Sequence, residues 1–223
     1  MKLKRIFAAV LATAMLLSFV GCANKDTQGD SSEPAGEQTA EERTTEPQTN
    51  EDGSLVKPKN AVSVSDDVKI KTYSGTSLIE IGNRVMEPYG NAYKNMKAYA
   101  DALNRLKAEM PDTKAYCLMA PTAIEFYAPS KYNTGVSKSQ YEGMCYIYEQ
   151  LKDITPVNAY AEMAAHTDEY LYFRSDHHWT TLGAYYAYRT FAKVAGFTPV
   201  DKNTLQTGKL SPFLGLFYKD TKS

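Results

Sequence analysis

Apolar residues recur at helical spacing in three segments of the chain. The segments 93–110, 137–151 and 180–195 each place an apolar residue every three or four positions, which predicts three long helices. In the second segment, Ser137 and Gln140 have the separation of a capping box. The third segment is followed by a glycine, a residue that commonly ends helices.

Short apolar runs alternate with these helices. Residues 114–120, 154–157 and 170–173 are predicted strands, and residues 160–165 are a predicted short helix. Strands that alternate with helices are typical of an α/β layer structure with a mostly parallel sheet. We see no internal repeat, and the length after residue 60 suits one domain.

The first residues have the pattern of an export signal. Basic residues at positions 2–5 precede an apolar run, residues 6–20, that is short for a membrane span. The run ends in small residues before Cys22, which resembles the lipobox of bacterial lipoproteins, whose cysteine thiol takes a diacylglycerol. We expect residues 1–21 to be a lipoprotein signal peptide and Cys22 to carry the lipid anchor. The alternative is an ordinary signal peptide with an unrelated cysteine.

Residues 22–60 are polar and acidic. Nine acidic residues lie between positions 23 and 54, against two basic ones, and apolar residues are almost absent before Leu55. Such a segment buries too little surface to offset the entropy lost on ordering, so we expect a disordered tether. The domain is then expected to comprise residues 61–223, at the outer face of the cell membrane. Acidic and basic residues nearly balance in that part, and nothing points to nucleic acid.

Two further cysteines, Cys117 and Cys145, lie in a predicted strand and a predicted helix. A disulfide is open to an exported protein, but its geometry cannot be inferred from sequence. We favour two buried thiols.

All three histidines of the chain lie between residues 166 and 178. His177 and His178 follow Asp176, in a loop after the strand at 170–173, and loops at the carboxyl ends of strands commonly carry catalytic groups. An aspartate two residues before a histidine can bond one ring nitrogen and leave the other free to take a proton from a nucleophile. The alternatives are that Asp176 caps the next helix, or that His177 and His178 bind a metal together with His166 or with distant carboxylates.

The stretch 169–188, EYLYFRSDHHWTTLGAYYAY, resembles the signature of the DHHW family. That family is similar to the proteins of alginate O-acetylation, which have an SGNH-hydrolase-like fold, a three-layer α/β/α sandwich. The resemblance implies that Asp176 is the orienting acid and His178 the general base of a Ser-His-Asp triad. His177 is a further candidate catalytic residue, and no metal or cofactor is implied.

The nucleophile that the resemblance implies is not evident. In the relatives, a serine in a strand-to-helix turn follows the D-x-H motif, and no such turn occurs between His178 and Ser223. We therefore expect a C-terminally truncated chain that lacks its last strands. Ser77 and Ser175 are poor substitutes, because Ser77 precedes an apolar run and Ser175 adjoins Asp176.

Together these features predict a membrane-tethered acyl esterase or O-acetyltransferase that acts on a cell-surface glycan. One alternative is an inactive surface lipoprotein that binds a glycan or a protein. The other is a metal-binding lipoprotein.

Overall fold

The computed structural model describes residues 56–135, 137–209 and 211–222 of the chain. Strands are β1 (Ile70–Thr72), β2 (Ile79–Ile81), β3 (Arg84–Met86), β4 (Ala115–Leu118) and β5 (Ile154–Val157). Helices are α1 (Tyr93–Glu109), α2 (Ala123–Tyr127), α3 (Ser130–Gly135), α4 (Gln140–Gln150), α5 (Tyr160–Ala164), α6 (Thr181–Ala195) and α7 (Tyr218–Thr221). A single 3₁₀ turn spans Lys202–Thr204.

β4 and β5 form a parallel pair with helices on both faces. On one face, the Tyr116 ring meets Phe191 of α6 edge-on, at a centroid distance of 5.3 Å. On the other face, α1 packs against α4, and Tyr148 of α4 donates to the Val157 carbonyl at 3.0 Å. This arrangement confirms the predicted α/β class and places the sheet between two helical layers.

A second, antiparallel sheet of β1, β2 and β3 was not predicted from the sequence. Gly82 has a positive φ of 62° in the tight turn between β2 and β3, a conformation that glycine adopts without a steric cost. The buried side chains of this sheet, Ile79, Ile81 and Met86, join the main core. The antiparallel sheet therefore contributes one face to the main hydrophobic core.

The N-terminal end of α4 is held from a distant part of the chain. Its N-cap is Ser139, whose hydroxyl accepts from the Glu142 N–H at 3.3 Å, whereas the predicted cap, Ser137, accepts from the Tyr89 N–H. The buried carboxylate of Glu125 also accepts from the Gln140 N–H, at 2.8 Å. An acid fifteen positions upstream thus satisfies N–H groups that a helix leaves unpaired.

Residues 56–60, which the sequence analysis assigns to the tether, contact the domain. Lys57 forms an ion pair with Glu125 at 2.7 Å, and the Val56 carbonyl accepts from the Tyr141 hydroxyl. The Asn60 side chain donates to the Phe126 carbonyl at 3.0 Å. The contacts of the chain with the folded domain therefore begin before residue 61.

Two predicted features differ from the structure. Residues 170–173 form no strand, because only Tyr172 makes an isolated bridge, with Trp179, before the chain turns back. On α1 and its C-cap Met110, Met96 is buried but Tyr99, Leu106 and Met110 are 40–55% exposed.

No helix among the described residues is long and apolar enough to cross a bilayer. Cys117 and Cys145 are free thiols as favoured above, but only Cys117 is buried, and Cys145 is partly exposed.

Candidate active site

A tight loop between Tyr172 and Trp179 carries the predicted site residues. The Phe173 N–H donates to the His178 carbonyl at 3.3 Å, and the Thr180 N–H donates to the Leu171 carbonyl at 2.8 Å, which closes the loop at its base. α6 then begins at the N-cap Thr180, whose hydroxyl accepts from the helix. The interpretation of Asp176 as the cap of this helix is therefore wrong.

Two neighbouring elements hold this loop. On one side, the β3 residue Val85 donates its N–H to the Arg174 carbonyl at 2.7 Å, and the Arg84 guanidinium donates to the Tyr172 carbonyl at 3.1 Å. On the other side, the Tyr172 hydroxyl donates at 2.6 Å to the carbonyl of Pro121, which follows the carboxyl end of β4. The site thus lies at the end of the parallel sheet where catalytic groups commonly collect.

Asp176 and His178 are directly bonded. The Oδ1 atom of Asp176 lies 2.6 Å from Nδ1 of His178, and the His178 backbone N–H donates to the same oxygen at 3.0 Å. Because an ionised carboxylate only accepts, Nδ1 carries the proton and Nε2 has a free lone pair. The His178 side chain is 65% exposed, so its ring is open to a reacting group.

The second oxygen of Asp176 is bound by the C-terminal part of the chain. The Leu216 N–H donates to Oδ2 at 2.8 Å, and Asp176 itself is only 8% exposed. Burial raises the pKa of the Asp176 carboxyl, but the N–H groups of Leu216 and His178 and the His178 ring outweigh it. The net result is a pKa below the ordinary value, since each of these contacts favours the ionised form.

His177 occupies a more enclosed position than His178. The two imidazole rings lie side by side, with centroids 4.0 Å apart. The His177 Nδ1 atom is sealed from solvent and has no hydrogen-bond partner in the described structure. His177 also borders a narrow cleft between β3 and the start of α2. The other residues that line this cleft are Val85, Met86, Glu87, Thr122, Ala123, Ile124 and Asp176.

The three adjacent residues could also ligate an ion. Asp176, His177 and His178 each offer a ligand atom, and these atoms all lie within 4.8 Å of one another. His166 does not belong to this group: its Nδ1 lies 2.9 Å from a Glu169 oxygen, and its ring stacks on Tyr186. The predicted metal site is therefore wrong in its third histidine.

The structure does not bring a nucleophile to His178 within the described residues. Ser77 is exposed in the turn before β2, and the Ser175 hydroxyl accepts from the Gly215 N–H at 3.3 Å. Neither hydroxyl bonds the His178 ring. Cys22, the predicted lipidation site, lies outside the described residues.

A groove beside the dyad was not predicted. It has a volume of about 300 Å³ and is lined by Glu80, Asn83, Val85, Arg174 and Ser175. The segment that binds Asp176 was likewise missed, although a glycine within the apolar run FLGLF at 213–217 is a signal of close backbone approach. The pairing of β2 with β3 and the close approach of residues 213–217 both depend on distant parts of the chain. The sequence therefore does not place either feature beside Asp176.

The family described as "DHHW protein" matches residues 45–223. A solved DHHW family protein from Eubacterium siraeum is similar, with a TM-score of 0.63 and 28% identity over 69% of this chain and 52% of that chain. The chain thus spans about half the length of that protein.

Two structures of PatB1 from Bacillus cereus are also similar, one of them with a sulfonyl adduct. That structure has a TM-score of 0.47 and 18% identity over 58% of this chain and 45% of PatB1. The other has a TM-score of 0.41 and 19% identity over 64% of this chain and 46% of PatB1. No curated protein matches this chain.

Proposed function

This chain belongs to the DHHW family, and from that premise we propose that it is an extracytoplasmic lipoprotein of acyl-ester chemistry, an esterase or O-acetyltransferase acting on a cell-surface glycan. The observation that carries the proposal is the 2.6 Å contact between Asp176 and the exposed ring of His178. A buried acid that orients a solvent-facing imidazole is the arrangement that activates a hydroxyl nucleophile.

The proposed reaction proceeds in two steps. A serine from outside the described residues attacks the acyl carbonyl, and Nε2 of His178 takes the serine proton while Asp176 stabilises the imidazolium. Return of that proton to the leaving oxygen expels the alcohol and leaves an acyl-serine. A sugar hydroxyl or water, deprotonated in turn by His178, then releases the acyl group and restores the serine.

The glycan class is supported by the groove beside the dyad. The groove offers hydrogen-bond donors and acceptors and charges of both signs, which suits the many hydroxyls of a sugar. They come from Glu80, Asn83, Arg174 and Ser175. Arg174 and Ser175 immediately precede Asp176 in the chain, and the other lining residues belong to the β2–β3 hairpin, so a bound sugar would lie near the dyad. The tether and the Cys22 anchor complete the proposal and keep the domain close to surface glycans.

The proposal is tested on the full reading frame of the gene, expressed without its signal. Hydrolysis of an aryl acetate and of acetylated glycan is measured, and a fluorophosphonate probe followed by peptide mass spectrometry identifies any activated serine. Labelling of one serine that disappears in His178→Ala supports the proposal. No turnover and no labelling, with glycan still bound, would contradict it and favour the inactive binding module.

A second candidate is a metal-binding lipoprotein, favoured by the close ligand atoms of Asp176, His177 and His178. In that case the unpartnered Nδ1 of His177 would be a ligand. Calorimetric titration with zinc decides between the two. Stoichiometric binding that His177→Ala abolishes supports the metal candidate, and absence of binding excludes it.

A further inference from the structure

The C-terminal segment 213–217 lies directly on the loop that carries the dyad. It is fixed at both ends by aromatic residues: the Phe213 ring stacks on Phe173 at 4.3 Å, and Phe217, only 4% exposed, packs with Leu78 and Val85. Three consecutive backbone N–H groups, those of Gly215, Leu216 and Phe217, point toward the dyad loop. Residues 215–217 are thus held against the site by their backbone.

Each of the three N–H groups has a partner in the dyad loop. Gly215 donates to the Ser175 hydroxyl at 3.3 Å, and Phe217 donates to the Ser175 carbonyl at 3.0 Å. The middle group, the Leu216 N–H, donates to Oδ2 of Asp176 at 2.8 Å. The carboxylate of Asp176 is therefore held at both oxygens: Oδ1 is bound by His178 of the dyad loop, and Oδ2 is bound by the C-terminal segment.

Gly215 is the residue that makes this approach possible. A Cβ atom at this position would overlap the Ser175 carbonyl and lie 2.9 Å from the Cβ of Asp176. These are backbone atoms and a short side chain, which cannot move aside as a long side chain can. Any residue other than glycine must therefore displace the Leu216 N–H from the carboxylate or shift the loop itself.

We propose that Gly215 and the Leu216 N–H are positioning elements of the dyad, which hold the Asp176 carboxylate in the one orientation that turns Oδ1 toward His178. A carboxylate bound through Oδ1 alone can rotate and release the imidazole, whereas the second bond fixes its plane. The inference rests on the proposed function only in calling Asp176 and His178 catalytic. The geometry itself is measurable on the protein without turnover.

Two variants test the inference with matched controls. Gly215→Ala introduces the clash, and Gly208→Ala is its control, because nothing lies within 4 Å of a Cβ at Gly208. An amide-to-ester replacement at Leu216, made by ligating a synthetic C-terminal peptide, replaces the N–H donor by an oxygen and leaves every side chain unchanged. The same replacement at Leu214, whose N–H has no partner among the described residues, is its control.

The readout is exchange of the His178 Nδ1 proton with water, measured by NMR on ¹⁵N-histidine-labelled protein. We expect roughly tenfold or faster exchange in Gly215→Ala and in the Leu216 ester, the scale of one lost hydrogen bond to a charged group, and no change in either control. In an active full-length protein, kcat should fall in the same two variants while KM is unchanged.

The outcomes separate the two proposals. Unchanged exchange in the folded Leu216 ester would overturn the positioning role, even if Gly215→Ala fails to fold. Faster exchange in a protein that shows no acyl chemistry would leave the positioning geometry in place and overturn the proposed function alone.

Discussion

One carboxylate oxygen of Asp176 binds His178 twice, through the ring Nδ1 at 2.6 Å and through the backbone N–H at 3.0 Å. The two contacts fix both the main chain and the ring of the histidine two residues later. Both contacts that orient the imidazole therefore lie within three residues, whereas the bond that fixes the plane of the carboxylate comes from Leu216, 40 positions away. What the rest of the fold supplies is the orientation of the acid.

This relationship predicts unequal effects of substitution in the histidine pair. His178→Ala and Asp176→Asn should each lower esterase activity of the full-length protein by roughly 10⁴-fold, because one removes the base and the other its orienting charge. His177→Ala should have a milder effect, since the His177 side chain makes no hydrogen bond to either residue. Initial rates on an aryl acetate measure all three, and equal losses at His177 and His178 would count against the assignment.

The pKa of Asp176 predicts how stability depends on pH. Although burial opposes ionisation, the Leu216 and His178 N–H groups and the His178 ring hold this pKa below its ordinary value of 3.8. A lowered pKa contributes stability that is complete above 3.8 and is lost as the pH falls from there through the folded-state value. Urea unfolding should show that the free-energy difference between wild type and Asp176→Asn shrinks only in that acidic range. A difference that stays constant there would refute the lowered pKa.

Glu125 is predicted to be the most sensitive buried acid away from the dyad. Its carboxylate side chain is fully buried and accepts from Gln140, from the Tyr160 hydroxyl and from Lys57. Glu125→Gln removes the charge that these donors share, and we expect a loss of about 3 kcal/mol in unfolding free energy. Chemical denaturation followed by far-UV circular dichroism measures it.

The control for Glu125 lies on α4, the helix whose first N–H groups the Glu125 carboxylate binds. Glu142, in the first turn of α4, is exposed, and Glu142→Gln should change the unfolding free energy by no more than about 0.5 kcal/mol. Similar losses in the two variants would show that helix charge, rather than the buried contacts, accounts for the effect.

The proposed anchoring role of Cys22 predicts a change of location. Cys22→Ser should release the protein from the membrane fraction, because the thiol that would carry the diacylglycerol is gone. Detergent phase partition of whole cells, with metabolic labelling by a fatty acid, measures the release. Cys145→Ser is the control and should stay with the membrane, and retention of Cys22→Ser would refute the lipid anchor.

Prediction from sequence worked best where structure is local. The periodicity of residues 93–110 and 180–195 identified α1 and α6 within a few residues, and Gly196 ends α6 in a left-handed conformation as expected. The Asp176–His178 contact was also predictable, since a turn of three residues brings the two side chains together. These features depend on neighbours in the chain.

Features that depend on distant segments were missed. The Ser137–Gln140 spacing pointed to the wrong cap, because Ser137 instead accepts from Tyr89 and the helix begins after Ser139. The support of Asp176 by Leu216 joins residues 40 positions apart. No spacing rule reports such a contact, since it arises only when an apolar segment with a central glycine folds back across a finished loop.

The Leu216 contact also gives the site an order of assembly. During synthesis, Asp176 and His178 leave the ribosome before Leu216, whose N–H binds the Asp176 carboxylate. The dyad therefore lacks this hydrogen bond until the segment 213–217 has emerged and packed against the loop. A proteolytic cut between His178 and Leu216 that released the segment would undo the same step in the folded protein. The competence of this site therefore reports on the integrity of a stretch of chain that takes no part in the chemistry.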